Sequence, residues 1–418
     1  MIHRSVRLVV ALVVLAAVMP AASAPAGHGP HQHGGGHAPV QDVSGVTSLD
    51  VYRDGGALHL LVARSRPNAV AELLHVASKD GGATWSAPHP VPTDAAAPHS
   101  PRRGADAQLA ARGDRLLALW MVKGSGFMGS GALAAAISED GGRTWRSGAN
   151  PADDASNEGH SFVDVVADDS AFHAVWLDSR DKAQGLRYAA SRTGTSWSAN
   201  RTLAGGTCEC CWNAMLSNAD QLYVLYRGKS PRDMAIVASA DHGATWSTPN
   251  VVGRFGWDVN ACPHVGGGLA VTELEGARAL HAVVWTGQEN RAGLYHLTSL
   301  DAGRSWAEPR RIGGEGARHA DLAAGGEGAV AAVWDEDMPG HSVIFLSVSR
   351  DGGRSWSVPA RLSAPAADAT HPRIAAVNDG FVVFWTEVRD GADLRELMLS
   401  RVSRQGLPTA PAAMDLER

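Results

Sequence analysis

Short apolar runs bounded by Gly, Asp and Asn recur along the chain from residue 47 to about residue 400. Their length and punctuation predict strands rather than helices. The runs come in threes. The first set is 47–52, 57–63 and 72–77, and matching sets lie within 106–137, 161–190, 212–238, 265–298, 320–348 and 372–400. The middle runs resemble one another, ending on tryptophan at 116–120, 171–176, 280–285, 329–334 and 381–385.

After most sets comes a fixed polar turn. Five segments read Ser-x-Asp-x-Gly and close on Trp: Ser78 to Trp85, Ser138 to Trp145, Ser239 to Trp246, Ser299 to Trp306 and Ser349 to Trp356. A sixth, Ser191 to Trp197, is one residue short and carries Thr193 in the Asp position. The Asp accepts backbone N–H groups within the turn, the Gly supplies a positive φ, and the Trp wedges between neighbouring sheets. All three roles are structural. A turn of this kind between third and fourth strands, repeated every 48 to 60 residues, predicts an all-β fold, a β-propeller of four-stranded blades. Seven sets of strands give seven blades, with six as the alternative. The last set has no box, so its fourth strand must come from the C-terminal tail or from the N-terminus.

The boxes resemble those of the sialidase-type (BNR, Asp-box) propeller superfamily over residues 47 to about 400. That resemblance implies the fold and leaves activity open. It also implies a set of residues to look for: an arginine triad, a tyrosine nucleophile with a Glu partner, and an aspartic acid/base. The Arg-Ile-Pro segment of such enzymes is absent, and Arg373-Ile-Ala is the nearest match. Of Tyr188, Tyr223, Tyr226 and Tyr295, only Tyr226 falls at a strand end near the expected site face. Arg180, Arg227, Arg291 and Arg389 recur in second-to-third loops, as a solvated rim or as a ring for a small anionic or glycan ligand.

Topology puts the segments leading into each innermost strand on the face opposite the boxes, around the channel. Five consecutive blades carry Cys or His there: His160, Cys208-Glu-Cys210-Cys211, Cys262-Pro-His264, His319 and His371. Asp106 holds the same register in the second blade and would orient ligands. Thiolate with imidazole favours copper, and zinc after it, over hard cations. The layout is similar to that of nitrous oxide reductase, a propeller with a copper cluster at its axis, without a shared motif. The alternative for the cysteines is disulfides. Full pairing would force a bridge within Cys208–Cys211, where consecutive Cα atoms sit closer than relaxed disulfide geometry prefers. One bridge through Cys262 remains open and would leave two thiols.

Composition narrows the setting. Arg4 and Arg7, an apolar run over 8–19 and small residues at 22–24 predict a signal peptide over 1–26, hence a periplasmic or secreted protein. The tail 27–41 holds His28, His31, His33 and His37, a tract that binds metal or is a solvated linker. The propeller would occupy 42–418, as a monomer without a membrane span. With a net charge of −6 and interspersed signs, no basic surface recommends nucleic acid. Three readings of function follow: a metal-binding propeller holding copper, with a redox or metal-handling role; a sialidase-like glycan hydrolase or glycan-binding protein; and a protein-docking platform.

Overall fold

The computed structural model describes residues 44–66, 71–93, 97–99, 103–157, 159–274, 276–389, 392 and 394–417. The expected signal peptide and His-rich tail lie outside them. The described chain forms antiparallel four-stranded meanders at 44–91, 108–147, 161–205, 214–252, 267–313, 321–361 and 368–413, here called blades 1 to 7. The inner strands are Ser44–Asp54, Gln108–Arg112, Ser161–Ala167, Ala214–Asn218, Gly267–Leu274, Asp321–Ala324 and Asp368–Val377. Each contacts the next, and the last contacts the first, so the sheets close into a β-propeller. No described helix is long and apolar enough to cross a membrane.

Both chain ends complete blade 7. Its third strand, Leu394–Ser403, pairs antiparallel with Ala412–Ala413 and, at its other end, parallel with Ser44 and Gly45. The parallel contact requires Gly45, whose φ is +106° and where a side chain would overlap the Arg395 carbonyl. Blades 1 and 7 are thereby one continuous sheet.

The boxes are built as their residues dictate. Ser78 Oγ donates to Asp80 Oδ1 at 2.8 Å and accepts Gly82 N–H at 2.8 Å, while Thr84 N–H donates to Asp80 Oδ1 at 2.9 Å. The same bonds recur from Ser138, Ser239, Ser299 and Ser349. In the degenerate box Ser191 Oγ still accepts Gly194 N–H at 2.7 Å, and Thr193 and Thr195 replace the carboxylate contact. Box tryptophans pack edge-on against the preceding blade: Trp85 on Phe384, Trp145 on His75, Trp246 on Tyr188 and Trp356 on His296.

Beneath three of these tryptophans lie buried polar pairs. His59 Nδ1 lies 3.0 Å from His75 Nε2, His281 Nδ1 lies 3.1 Å from His296 Nε2, and His173 Nδ1 lies 2.8 Å from the Tyr188 hydroxyl. The first partner sits in the second strand of blades 1, 3 and 5, the second in the third strand. Burial, aided by His59, pushes His75 down to about 3; burial puts His281 at about 4, and burial with His281 puts His296 at about 3. An unfolded chain protonates near 6.5. These rings therefore stabilise the fold fully above about pH 6.5, and lose that contribution as pH falls toward their folded values. Replacing His75 and His296 by Gln should lessen the loss of stability between pH 7 and pH 5 by about 4 kcal/mol, about 2 kcal/mol for each ring at roughly 1.4 kcal/mol per pH unit below 6.5. Urea unfolding at the two pH values measures it, and equal losses in variant and wild type would contradict the assignment.

Candidate functional site at the channel rim

The channel below the rim is occupied by its own charges. Asp50 accepts Leu109 N–H at 2.8 Å, Asp164 accepts Met215 N–H at 2.6 Å, and Asp321 accepts Ile374 N–H at 3.0 Å. Each carboxylate thus caps the inner strand of the following blade. Arg373 lies among Asp321, Asp50, Asp106 and Asp164, with Asp106 Oδ2 at 3.8 Å. Burial pushes Asp50 up to about 6 and Asp164 up to about 7 despite that guanidinium. Asp106 is held by Arg103 and by the N–H groups of Leu49 and Gly104. Four acids around Arg373, with Arg103 already committed to Asp106, make a poor receptor for a carboxylated ligand.

Above them the rim residues fall into three groups. Cys208, Cys210 and Cys211 form the first, with Cys208 Sγ 3.4 Å from each of the other two sulfurs. All four described cysteines are free thiols. The trio is at most 1% exposed, and its loop is tied to its own blade by Cys208 N–H donating to the Arg227 carbonyl at 2.9 Å. Arg232 Nη1 lies 3.0 Å from Cys208 Sγ. Arg227, also buried, spends its guanidinium on the carbonyls of Val265, Arg232 and Trp285, which fixes its charge beside Cys211. Hydrogen bonds from Cys210 and Cys211, with Arg232 behind them, pull the Cys208 thiol far down. Burial pushes Cys211 up to about 12, and the shared hydrogen bonds push Cys210 up. The mutually hydrogen-bonded sulfurs and the guanidinium beside them favour a thiolate within the trio. Cys262 is exposed and hydrogen-bonded to Cys210, which lowers its thiol to about 7. His264, at φ +56°, turns Nδ1 to the Cys210 carbonyl at 3.1 Å.

The second group lies where opposite blades meet. The His319 and His371 rings stack at 3.5 Å, and Trp212 lies 5.3 and 6.0 Å from them. Asp335 Oδ2 accepts from His319 Nδ1 at 2.7 Å, the Thr370 hydroxyl at 2.7 Å and His371 N–H at 2.8 Å. Burial opposes ionisation of Asp335, but His319 and these hydrogen bonds hold its carboxyl below the usual range. A carboxylate that orients histidines is a common support for a metal ligand. Small lead-in residues make room for Trp212: a side chain at Gly266 would overlap its indole, and one at Gly104 would lie 3.1 Å from its ring.

The third group is His160 with Asp154 and Asp178. His160 is buried, with Nε2 2.9 Å from Asp154 and Nδ1 3.2 Å from the Gly131 carbonyl. The structure thus joins Cys208, Cys210, Cys211, Cys262 and His264 in one place, and His319 with His371 in another. His160 has its own partners, and Asp106 belongs to the channel network rather than orienting a Cys or His.

The four loop arginines do not converge on a pocket. Arg180 pairs with Asp178 and Asp153, Arg389 with Glu396, Arg291 lies over Phe255, and Arg227 is buried under the cysteines. Sequence reasoning missed the roles of Arg232, Trp212 and Asp335. Trp212 directly follows the cysteine run and Asp335 follows a blade-closing Trp, so both stood beside recognised signals.

Residues 186–406 match the BNR repeat-like domain. The chain belongs to this family. No curated protein matches it in sequence. Among solved structures, an ulvan lyase of a polysaccharide lyase family superposes with a TM-score of 0.54 at 9% identity, covering 88% of this chain and 97% of the lyase. A mutant of AofleA from Arthrobotrys oligospora gives 0.50 at 11% identity, over 77% and 88%. Trypanosoma rangeli sialidase gives 0.46 at 13%, and the match spans 73% of this BNR chain but only 55% of the sialidase. At such identities the likeness is one of fold.

Asp335 tests the second group. Replacing it by Ala would strand His319 Nδ1, the Thr370 hydroxyl and the His371 N–H, and should cost about 3 kcal/mol in urea unfolding. Arg389→Ala, on a half-exposed pair, should cost under about 1 kcal/mol. Equal small costs would contradict the buried-hub assignment.

Proposed function

We propose that this BNR propeller is an exported, monomeric soft-metal-binding protein that holds copper, as Cu(I), on Cys208, Cys210 and Cys211. The observation that carries the reading is a buried triad of sulfurs set against two buried guanidiniums, Arg232 and Arg227. Buried thiolates are unfavourable unless their charge is offset, and a soft monovalent ion with two arginines offsets three of them. A metal at about 2.3 Å from each sulfur places trigonal sulfurs roughly 4 Å apart. The trio would open by about half an ångström to admit it. Softness of the donors favours Cu(I) over zinc and excludes magnesium and calcium. Asp335, His319 and His371 would serve as a separate imidazole site. The His-rich tail would raise total uptake, and the N-terminal pattern supports a periplasmic or secreted setting.

Titration of reduced protein with Cu(I) against a chromophoric chelator tests the reading. Wild type should hold one ion tightly. Cys210→Ser with Cys211→Ser should weaken it by more than roughly a hundredfold. Deleting residues 27–37 should lower total copper bound and leave the tight ion. Equal affinity of wild type and the double variant would reduce the cysteines to packing.

A second reading is a glycan-binding or glycan-acting propeller. It is favoured by family membership and by the full-length likeness to a polysaccharide lyase. Within it, sialic acid is the least suited ligand, because the axial arginine is surrounded by carboxylates and the loop arginines are engaged. No turnover of a fluorogenic sialoside is expected. Turnover abolished by Arg373→Ala would reverse the order of the two readings.

A further inference from the structure

Three buried sulfurs cannot take an ion from solution directly. Cys208, Cys210 and Cys211 are at most 1% exposed, so an ion bound there must pass an outer donor. Cys262 is placed for that step. It comes from the segment leading into blade 5, it is exposed, and that segment is tied to Cys210 by His264 Nδ1, 3.1 Å from the Cys210 carbonyl. It also lines a pocket of about 460 Å³ with Glu209, Lys229, Arg232 and Asn260. Arg232 joins the two compartments, lining that pocket while its Nη1 lies 3.0 Å from Cys208 Sγ. The pocket and the trio thus share Arg232, with Cys262 on the pocket side.

Resting on the copper reading above, we propose that Cys262 is the transfer ligand of the thiolate site, receiving Cu(I) from a small thiolate carrier and passing it to Cys210. The step is ligand exchange without redox change. The Cys262 sulfur bonds to the carrier's Cu(I), its proton goes to solvent, and the carrier thiolate leaves and is protonated. Cys210 then displaces Cys262 in the same way, with Cys208 and Cys211 completing the coordination. Lys229, ion-paired with Glu209, and Arg232 are the cations that a small anionic carrier of tripeptide size would meet in the pocket. Because Cys262 would leave the ion once it is inside, it sets rates in both directions rather than the final affinity.

Stopped-flow loading of the full chain with Cu(I) presented as its complex with excess glutathione tests this. Cys262→Ser should slow loading, and release to a chelator, by tenfold or more each, so that the dissociation constant moves less than threefold. Lys229→Gln should slow loading from the anionic complex by a smaller factor. Unchanged loading and release in Cys262→Ser would overturn the transfer role while leaving the trio as the binding site. A tenfold or larger loss of affinity in that variant would make Cys262 a resident ligand and equally overturn it. Failure of wild type to bind Cu(I) tightly would remove the underlying reading instead.

Discussion

A propeller blade has an inner strand with no further strand beyond it, and the backbone N–H groups along that edge still need acceptors. Here the neighbouring blades provide them. Carboxylates of Asp50, Asp164 and Asp321 reach across to Leu109, Met215 and Ile374, and Ser48 Oγ does the same for Ala107. This requirement determines what else the molecule can be. It fills the channel with acids, and the acids in turn hold Arg373 at their centre. The axis, usually the obvious place for a ligand, is occupied by structure. Chemistry is pushed up to the lead-in segments, which are free to vary because the strands below them are already secured.

Those segments differ sharply in how they use the freedom. In blade 3 the histidine is absorbed by Asp154 and a carbonyl. In blades 6 and 7 two histidines share one aspartate and stack under Trp212. In blade 4 the chain buries three thiols where two arginines are fixed by carbonyl contacts. Charge explains the contrast. An imidazole can be satisfied by the carboxylates and carbonyls its rim segment already meets, whereas a buried thiolate needs cations within a few ångströms. Among the described residues Arg227 has no ion pair with an acid, and Arg232 has only Glu209 at 3.9 Å, farther than Cys208 Sγ at 3.0 Å.

The sequence patterns reached the repeat and the box chemistry, because turn residues and strand alternation are local properties. The completion of blade 7 was open between two termini, and both contribute, which no local pattern could decide. Which rim residues meet was not legible either. His160 precedes the capping Asp164 by four residues whereas His319 precedes Asp321 by two, so their lead-in segments present them at different depths. The His59, His173 and His281 positions share a register in the second strands, a signal present in the chain but masked by their apolar neighbours. Loop arginines looked alike in sequence and differ in fate, because each is captured by whichever carboxylate, carbonyl or ring its own loop brings close.

The account turns on whether thiolates rather than imidazoles hold the ion. X-ray absorption at the copper edge of reduced, Cu(I)-loaded protein lacking residues 27–37 measures this directly. A first shell made of sulfur alone is the predicted result; a shell dominated by nitrogen or oxygen would contradict it.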